Sequence, residues 1–260
     1  RRVMLGLSSA SYESGTGKGN IEIASERQPL IWYAFDEILR NGIFPVNGSE
    51  FPSSNAPALT SKGSNTMTIN ANAGAPATDL TGMHRQSVRF DGTDDVVHMT
   101  GVVESTNKAG TMLIVFKKSD AANDVFISEN DTIDNGKFYV KLTGTDNANV
   151  AINMGDEHTV VKSFALTNNF TAGQDAMLLI RRNTTGHTFI YSQNGAEVEN
   201  TANSDVLAMQ KFAFRFIGGA TNTDYTGSVG EFAFWDQEIP DAACLKIIDS
   251  IREKWNLSDL

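Results

Sequence analysis

The chain has 260 residues, of which 40% are hydrophobic and 20% are charged, enough for one large all-β domain or two small ones. Its formal net charge of −10 argues against a protein that follows nucleic-acid phosphates, because that function needs a basic face. Cys244 is the only cysteine, which excludes an intrachain disulfide, and no apolar run reaches the roughly 20 residues of a membrane-spanning helix.

The N-terminal residues 1–28 show no hydrophobic periodicity and contain repeated Ser and Gly. We therefore predict a flexible arm or linker there, followed by one domain over residues 29–260. The domain opens with residues 29–36, a strand whose two faces are both apolar, as in a strand inside a sandwich. Residues 41–86 are rich in Gly, Pro, Ser and Asn, which predicts a long run of loops with one short strand near residues 67–69.

A strand, an acidic turn and a second strand follow over residues 87–99, and short strands then recur at the spacing of an all-β sandwich. Asn194 and Gly195 form a strong hairpin signal because both residues tolerate a positive φ. The later predicted strands cover residues 111–118, 138–142, 150–154, 160–164, 177–182, 188–192, 212–217 and 227–236. The pattern predicts a two-sheet antiparallel β-sandwich whose first and last strands lie side by side.

Residues 240–255 predict a C-terminal helix, which Pro240 begins. Three- and four-residue spacing predicts a buried stripe of Leu245, Ile248, Ile251 and Trp255. The polar residues predicted to face solvent are Lys246, Asp249, Arg252, Glu253 and Lys254. Within this helix, Cys244 is predicted to be a buried, inert thiol rather than a nucleophile.

The aromatic residues are the other binding resource, because sugar rings stack on exposed aromatic faces. Trp32, Trp235 and Trp255 lie on apolar stripes and are predicted to be core residues. The tyrosines predicted to reach a surface are Tyr12, Tyr139, Tyr191 and Tyr225. No single aromatic residue stands out as a sugar platform.

Three motifs together resemble a laminin-G-like domain of the concanavalin A-like lectin/glucanase superfamily. Leu-Ile-Trp-Tyr-Ala-Phe-Asp-Glu at residues 30–37 is similar to the opening strand of that family, and residues 87–97 are similar to its Arg-Phe-Asp-Gly hairpin. Residues 227–255 are similar to its closing strand and helix, with the ending Lys-Trp-Asn-Leu at residues 254–257. The resemblance covers about residues 29–257 and implies a jelly-roll sandwich with a short C-terminal helix.

The resemblance also implies a calcium site, because related folds often hold one calcium where the first and last strands meet. Calcium is a hard cation that carboxylates and carbonyl oxygens satisfy. The residues expected to be its ligands are Asp36, Asp91, Asp94, Glu231 and Asp236. The alternative for Asp91 and Asp94 is an Asx-type turn that binds no metal.

Catalytic patterns are weak in this sequence. Glu129 and Asp131 alternate as a retaining glycosidase pair would, but the segment runs directly into the turn at residues 134–136. The four histidines, which a polysaccharide lyase would need near Tyr and Arg, are dispersed at His84, His98, His158 and His187. We therefore predict that the protein is not an enzyme and keep a glycan hydrolase or lyase as the alternative.

These observations and the resemblance predict a non-catalytic binding or adhesion module that recognises a host-surface glycan. The predicted setting is extracellular or a virion surface, such as a phage tail, fibre or capsid decoration. A secreted carbohydrate-binding module is an alternative. A further alternative is a purely structural virion protein that docks onto other virion proteins through residues 1–28. Neither a nucleic-acid partner nor a membrane span is expected.

Overall fold

The computed structural model describes residues 28–37, 59–60, 68–71, 77–79, 83–93, 95–119, 124–129, 138–143, 149–154, 162–200, 212–218 and 225–260. The strands in these ranges are β1 (Ile31–Ala34), β2 (Leu59–Thr60), β3 (Thr68–Ala71), β4 (Ala77–Asp79), β5 (Ser87–Asp91), β6 (Val97–Glu104), β7 (Gly110–Lys118), β8 (Asp124–Ser128), β9 (Phe138–Thr143), β10 (Asn149–Met154), β11 (Lys162–Ala165), β12 (Asp175–Arg182), β13 (Thr188–Ser192), β14 (Gly195–Asn200), β15 (Ala213–Ile217) and β16 (Thr226–Trp235). A 3₁₀ turn (Phe35–Glu37) follows β1, and helix α1 covers Asp241–Trp255. The predicted arm lies outside the described residues, apart from Gln28.

The strands form two sheets. The first sheet has the order β14-β13-β12-β7-β16-β5-β4, with β1 also paired to β16, and the second has the order β11-β10-β9-β8-β15-β6-β3-β2. Every described pairing is antiparallel. The predicted all-β antiparallel sandwich with a C-terminal helix is therefore confirmed.

The main core lies between the two sheets and is built largely from phenylalanine. Phe116 of the first sheet meets Phe126 of the second with ring centroids 4.6 Å apart. Phe214 of the second sheet meets the edge of Phe234 of the first at 4.9 Å. Because side chains alternate along a strand, each strand sends every second residue into this layer. Aromatic contacts across the layer therefore fix how the sheets stack.

Strand β16 is the centre of the first sheet and organises both ends of the chain. One edge pairs with β7, while the other edge pairs first with β5 and then with β1. In the β1 pairing, Trp32 lies opposite Ala233 and Ala34 lies opposite Glu231. The prediction that the first and last strands lie side by side is confirmed.

Helix α1 packs on the outer face of the first sheet, where it forms a second hydrophobic cluster. Ile247, Ile251 and Trp255 of the helix are fully buried there together with Leu113 of β7. The helix ends at Asn256, which adopts the left-handed conformation with φ 50 and donates its backbone N–H to the Arg252 carbonyl. Within the described ranges, no helix is both long enough and apolar enough to cross a membrane.

The predicted helix boundaries are nearly right, but two side chains were assigned to the wrong face. Leu245 was expected in the buried stripe and is 41% exposed, whereas Lys254 was expected in solvent and is only 5% exposed. Spacing explains both, because Ile247, Ile251 and Lys254 follow the i, i+4, i+7 positions of the buried face. Cys244 is fully buried, as predicted, and burial raises the pKa of its thiol to about 12.

Gly230 lets the helix approach β16 closely. The register of β16 against β7 shifts between Val229 and Glu231, so Gly230 is an extra residue in the strand. A Cβ at this position would overlap the ring of Trp255, which lies directly over the glycine. Trp255 therefore needs a residue without a side chain beneath it.

We expect Gly230→Ala to destabilise the protein by about 1–3 kcal/mol, the usual cost of overfilling a packed site. Ala242→Ser, at an exposed position of α1, is the control and should change stability by less than about 0.5 kcal/mol. Urea unfolding followed by tryptophan fluorescence measures both values. An unchanged midpoint for Gly230→Ala would show that Trp255 does not lie tightly against the strand.

Candidate functional site

The carboxylate of Glu231 is the centre of a buried polar network. Glu231 is fully buried, with 0% of its surface exposed. Trp32 Nε1 donates to Glu231 Oε1 at 2.7 Å, and Trp255 Nε1 donates to Oε2 at 2.9 Å. Lys254 Nζ donates to the same Oε2 at 2.6 Å. Strand β1, strand β16 and helix α1 therefore meet at one side chain.

Asp36 extends this network towards the surface. Lys254 Nζ also donates to Asp36 Oδ1 at 3.3 Å, so the ammonium bridges two carboxylates. Arg85 pairs with Asp36 Oδ2 at 3.4 Å and donates from Nε to the Lys254 carbonyl at 2.6 Å. Two cations thus balance two carboxylates, which is what a buried charge requires.

The ionisation of this network follows from its contacts. Burial alone would raise the pKa of Glu231, but the Lys254 charge and the donors of Lys254, Trp255 and Trp32 outweigh it, so the pKa is lowered. Burial would lower the pKa of Lys254, but Glu231 and Asp36 outweigh it and the pKa is raised. For Asp36, burial is the largest cause and the pKa is raised. Glu231 and Lys254 are therefore a charged pair at neutral pH.

The structure brings together two of the five predicted calcium ligands, Asp36 and Glu231, around the ammonium of Lys254. Asp91 and Asp236 lie near opposite ends of β16, about 30 Å apart at ~3.3 Å per residue. Asp94 lies outside the described residues.

Asp91 forms the Asx-type turn that the sequence predicted as the alternative to a calcium site. Asp91 Oδ1 accepts the Thr93 N–H at 2.8 Å, and the Asp91 N–H donates to Asp95 Oδ2 at 2.7 Å. Asp236 Oδ2 accepts from Thr106 Oγ1 at 3.2 Å. In the part of the chain that the structure describes, no three His, Cys, Asp or Glu side chains are grouped to hold a metal ion. Calcium stays a prediction.

The residues considered for catalysis do not meet among the described residues. Glu129 Oε2 accepts the Phe138 N–H at 3.3 Å and so closes the β8–β9 hairpin, while Asp131 lies outside the described residues. On the outward face of the second sheet, His98 and Tyr139 are separated by β15 and β8, about 14 Å at ~4.8 Å per strand. That separation is too long for both to act on one bond. Burial, and then the nearby Arg215 charge, lower the pKa of His98.

Three predictions about aromatic residues need correction. Tyr139, Tyr191 and Tyr225 were expected to reach the surface, but they are 4%, 1% and 0% exposed. Tyr191 donates to Asp241 Oδ1 at 2.7 Å, and Tyr225 donates to the Lys117 carbonyl at 2.7 Å. The phenols of Tyr191 and Tyr225 thus have hydrogen-bond partners within the protein. The predicted core positions of the three tryptophans are confirmed, since none is more than 5% exposed.

A second candidate site lies on the outward face of β9, β10 and β11, at one edge of the second sheet. Lys141 lies opposite Ala151, and Ala151 lies opposite Ser163. Two residues further along the strands, and so on the same face, Thr143 lies opposite Asn149, and Asn149 lies opposite Ala165. We call these six residues the β9–β11 patch. It joins hydroxyl, amide and ammonium groups to two alanines, of which Ala165 is exposed and leaves room for a ligand.

Accessibility differs within the β9–β11 patch. Ser163 and Ala165 are exposed, Lys141, Thr143 and Asn149 are half-buried, and Ala151 is buried. The Tyr139 ring lies next to Lys141, with its centroid 5.7 Å from Nζ. Burial raises the pKa of Tyr139, so its phenol stays neutral. Sequence reasoning missed this patch because it depends on the pairing of three strands.

No protein-family model and no curated protein sequence matches the chain. Solved structures do match. Domain 4 of AbnA, a GH43 extracellular arabinanase from Geobacillus stearothermophilus, was solved in complex with arabinotriose. It aligns with a TM-score of 0.57 at 12% identity, over 85% of this chain and 98% of that one. The botulinum neurotoxin serotype D ligand-binding domain, solved in complex with N-acetylneuraminic acid, aligns with a TM-score of 0.57 at 10% identity, over 88% of this chain and 52% of that one.

The serotype G binding domain of botulinum neurotoxin aligns with a TM-score of 0.53 at 12% identity, over 78% of this chain and 50% of that one. The chain thus spans about half the length of the neurotoxin domains. At these identities the likeness shows the fold alone. The fold is a jelly-roll β-sandwich, as the sequence predicted.

Removing the Glu231 charge tests the buried network. We expect Glu231→Gln to cost about 3–5 kcal/mol, because it leaves the Lys254 ammonium buried with a weaker counter-ion. The double variant Glu231→Gln/Lys254→Met should lose less than the single variant, because it buries no unpaired charge. Asp249→Asn, on the exposed side of α1, is the control. Equal stability of Glu231→Gln and Asp249→Asn in urea unfolding would contradict this account.

The lowered pKa of Glu231 also sets a pH dependence. Its contribution to stability is complete above the ordinary glutamate value of 4.5 and is lost as the pH falls through the lower folded value. We therefore expect the difference in unfolding free energy between wild type and Glu231→Gln to be constant at about pH 6–8 and to shrink below 4.5. A difference that grows on acidification would mean that Glu231 is protonated in the folded protein.

Proposed function

We propose that the chain is a non-catalytic module that binds glycans through the β9–β11 patch. The observation that carries this proposal is the accessible grid of short polar side chains on three paired strands, Thr143, Asn149 and Ser163 with Lys141 beside them. Sugars present many hydroxyl groups, and hydroxyl, amide and ammonium side chains can donate to or accept from these groups at once. Ala165, which is exposed at the β11 edge, leaves space for a ring beside them.

The two faces of the sandwich differ in a way that supports this choice. The outer face of the first sheet is occupied by helix α1, which buries Trp32 and Leu113. The edge of the second sheet at β11 keeps Ser163 and Ala165 exposed. Two solved structures of the same fold hold sugars, arabinotriose in one and N-acetylneuraminic acid in the other. Their identity to this chain is low, so they support the function class and not a shared site.

The rest of the proposal concerns the setting. We place the module in the laminin-G-like group, outside the cell or on a virion surface, as an adhesion domain of a phage tail, fibre or capsid. Residues 1–28 would dock it onto other virion proteins. Calcium, expected from the sequence near the first and last strands, is part of the same proposal. A comparison of glycan binding with calcium and with a chelator tests the metal, and deletion of residues 1–28 tests docking.

Filling the β9–β11 patch tests the function. We expect Ser163→Trp to weaken glycan binding at least about tenfold, or ~1.4 kcal/mol, because the indole would replace a hydroxyl group and cover the exposed β11 edge of the patch. Thr100→Trp is the matched control, because Thr100 is exposed on β6, about 24 Å away across five strand spacings. A glycan array followed by calorimetry on the hits measures both variants. Equal binding by both variants would remove the patch from the proposal.

A further inference from the structure

Lys141 is the only charged residue of the β9–β11 patch. Every other outward-facing residue of these strands is uncharged. Among the described residues, the contact of the Lys141 ammonium is the Tyr139 ring at 5.7 Å, and no described carboxylate pairs with it. This contrasts with Lys254, whose ammonium bridges two carboxylates.

The surroundings of Lys141 make this charge a strong recognition element. On the neighbouring strands, Val125 and Ala151 lie directly opposite Lys141, and both are buried and apolar. Tyr139 is also buried, and its neutral phenol adds no negative charge. Lys141 is a half-buried residue, and a charge at such a position attracts an anion more strongly than one in bulk water, because the local dielectric constant is lower. The Tyr139 ring lies within cation–π range of the ammonium, at 5.7 Å, and so helps to orient it.

We infer that the glycan bound at this patch is acidic, with a carboxylate or sulfate group placed on Lys141. The inference deepens the proposed function and rests on it. Lys141 supplies the charge, while Thr143, Asn149 and Ser163 contact the hydroxyl groups of the same or the next sugar. The chain as a whole has a formal net charge of −10, so its general field repels an acidic glycan. Recognition of the anion must therefore come from a local cation.

Lysine substitutions combined with chemically matched glycans test this inference. The probes are polygalacturonate, its carboxyl-reduced neutral form, chondroitin sulfate and its desulfated form. We expect wild type to prefer the acidic forms and to lose that preference as salt is added. Lys141→Met should weaken binding of the acidic forms about tenfold or more, the loss of one charge-assisted hydrogen bond, and leave the neutral forms unchanged. Lys141→Arg should keep most of the preference.

Lys246→Met removes the same charge from the exposed side of α1 and is the control. Thermal unfolding of each variant verifies that the fold is intact. If carboxyl reduction abolishes the preference of wild type but desulfation does not, the group bound by Lys141 is a carboxylate. The opposite result assigns a sulfate. Equal binding of acidic and neutral forms, with Lys141→Met like wild type, overturns the inference while the patch still binds glycans. Failure of the proposed function looks different: no glycan binds, or Ser163→Trp has no effect.

Discussion

The carboxylate of Glu231 is the constraint on which the first sheet and the helix depend. It is fully buried, and a buried carboxylate is stable only if donors and a counter-ion surround it. Trp32 comes from the start of the domain, while Lys254 and Trp255 come from its end. The charge therefore selects one position of β1 on β16 and one position of α1 on the outer face. Gly230 makes this possible by leaving space for Trp255.

This network also divides the surface of the molecule. Because a charged pair fixes α1 over the first sheet, the helix covers the central part of that face. In the second sheet, Ser163 is exposed at the β11 edge and Lys141 is half-buried two strands away on β9. The two lysines therefore have different surroundings, since carboxylates neutralise Lys254 in the core, whereas the Lys141 ammonium lies beside the Tyr139 ring.

The sequence predicted the sandwich because apolar alternation and turn residues are local signals, as in β9 and the Asn194-Gly195 turn. It did not predict β4 (Ala77–Asp79), which is too short to show a period, or β8 (Asp124–Ser128), in which three apolar residues follow one another without alternation. Asp36 and Glu231 were expected to bind calcium because they meet near β16, but the cation that lies between them is Lys254. The β9–β11 patch arises from strand register, which residue patterns along one strand do not contain.

The exchange of the indole N–H groups tests the buried network most directly. Nε1 of Trp32 and Nε1 of Trp255 both donate to Glu231 in the interior. The protons of these two groups should exchange with deuterium only through global unfolding. Their ¹⁵N–¹H signals should therefore decay as slowly as those of the most protected amides of β16. In Glu231→Gln both should exchange much faster. Rapid exchange of either indole in the wild-type protein, while the β16 amides stay protected, would show that the carboxylate does not hold β1 and α1 together.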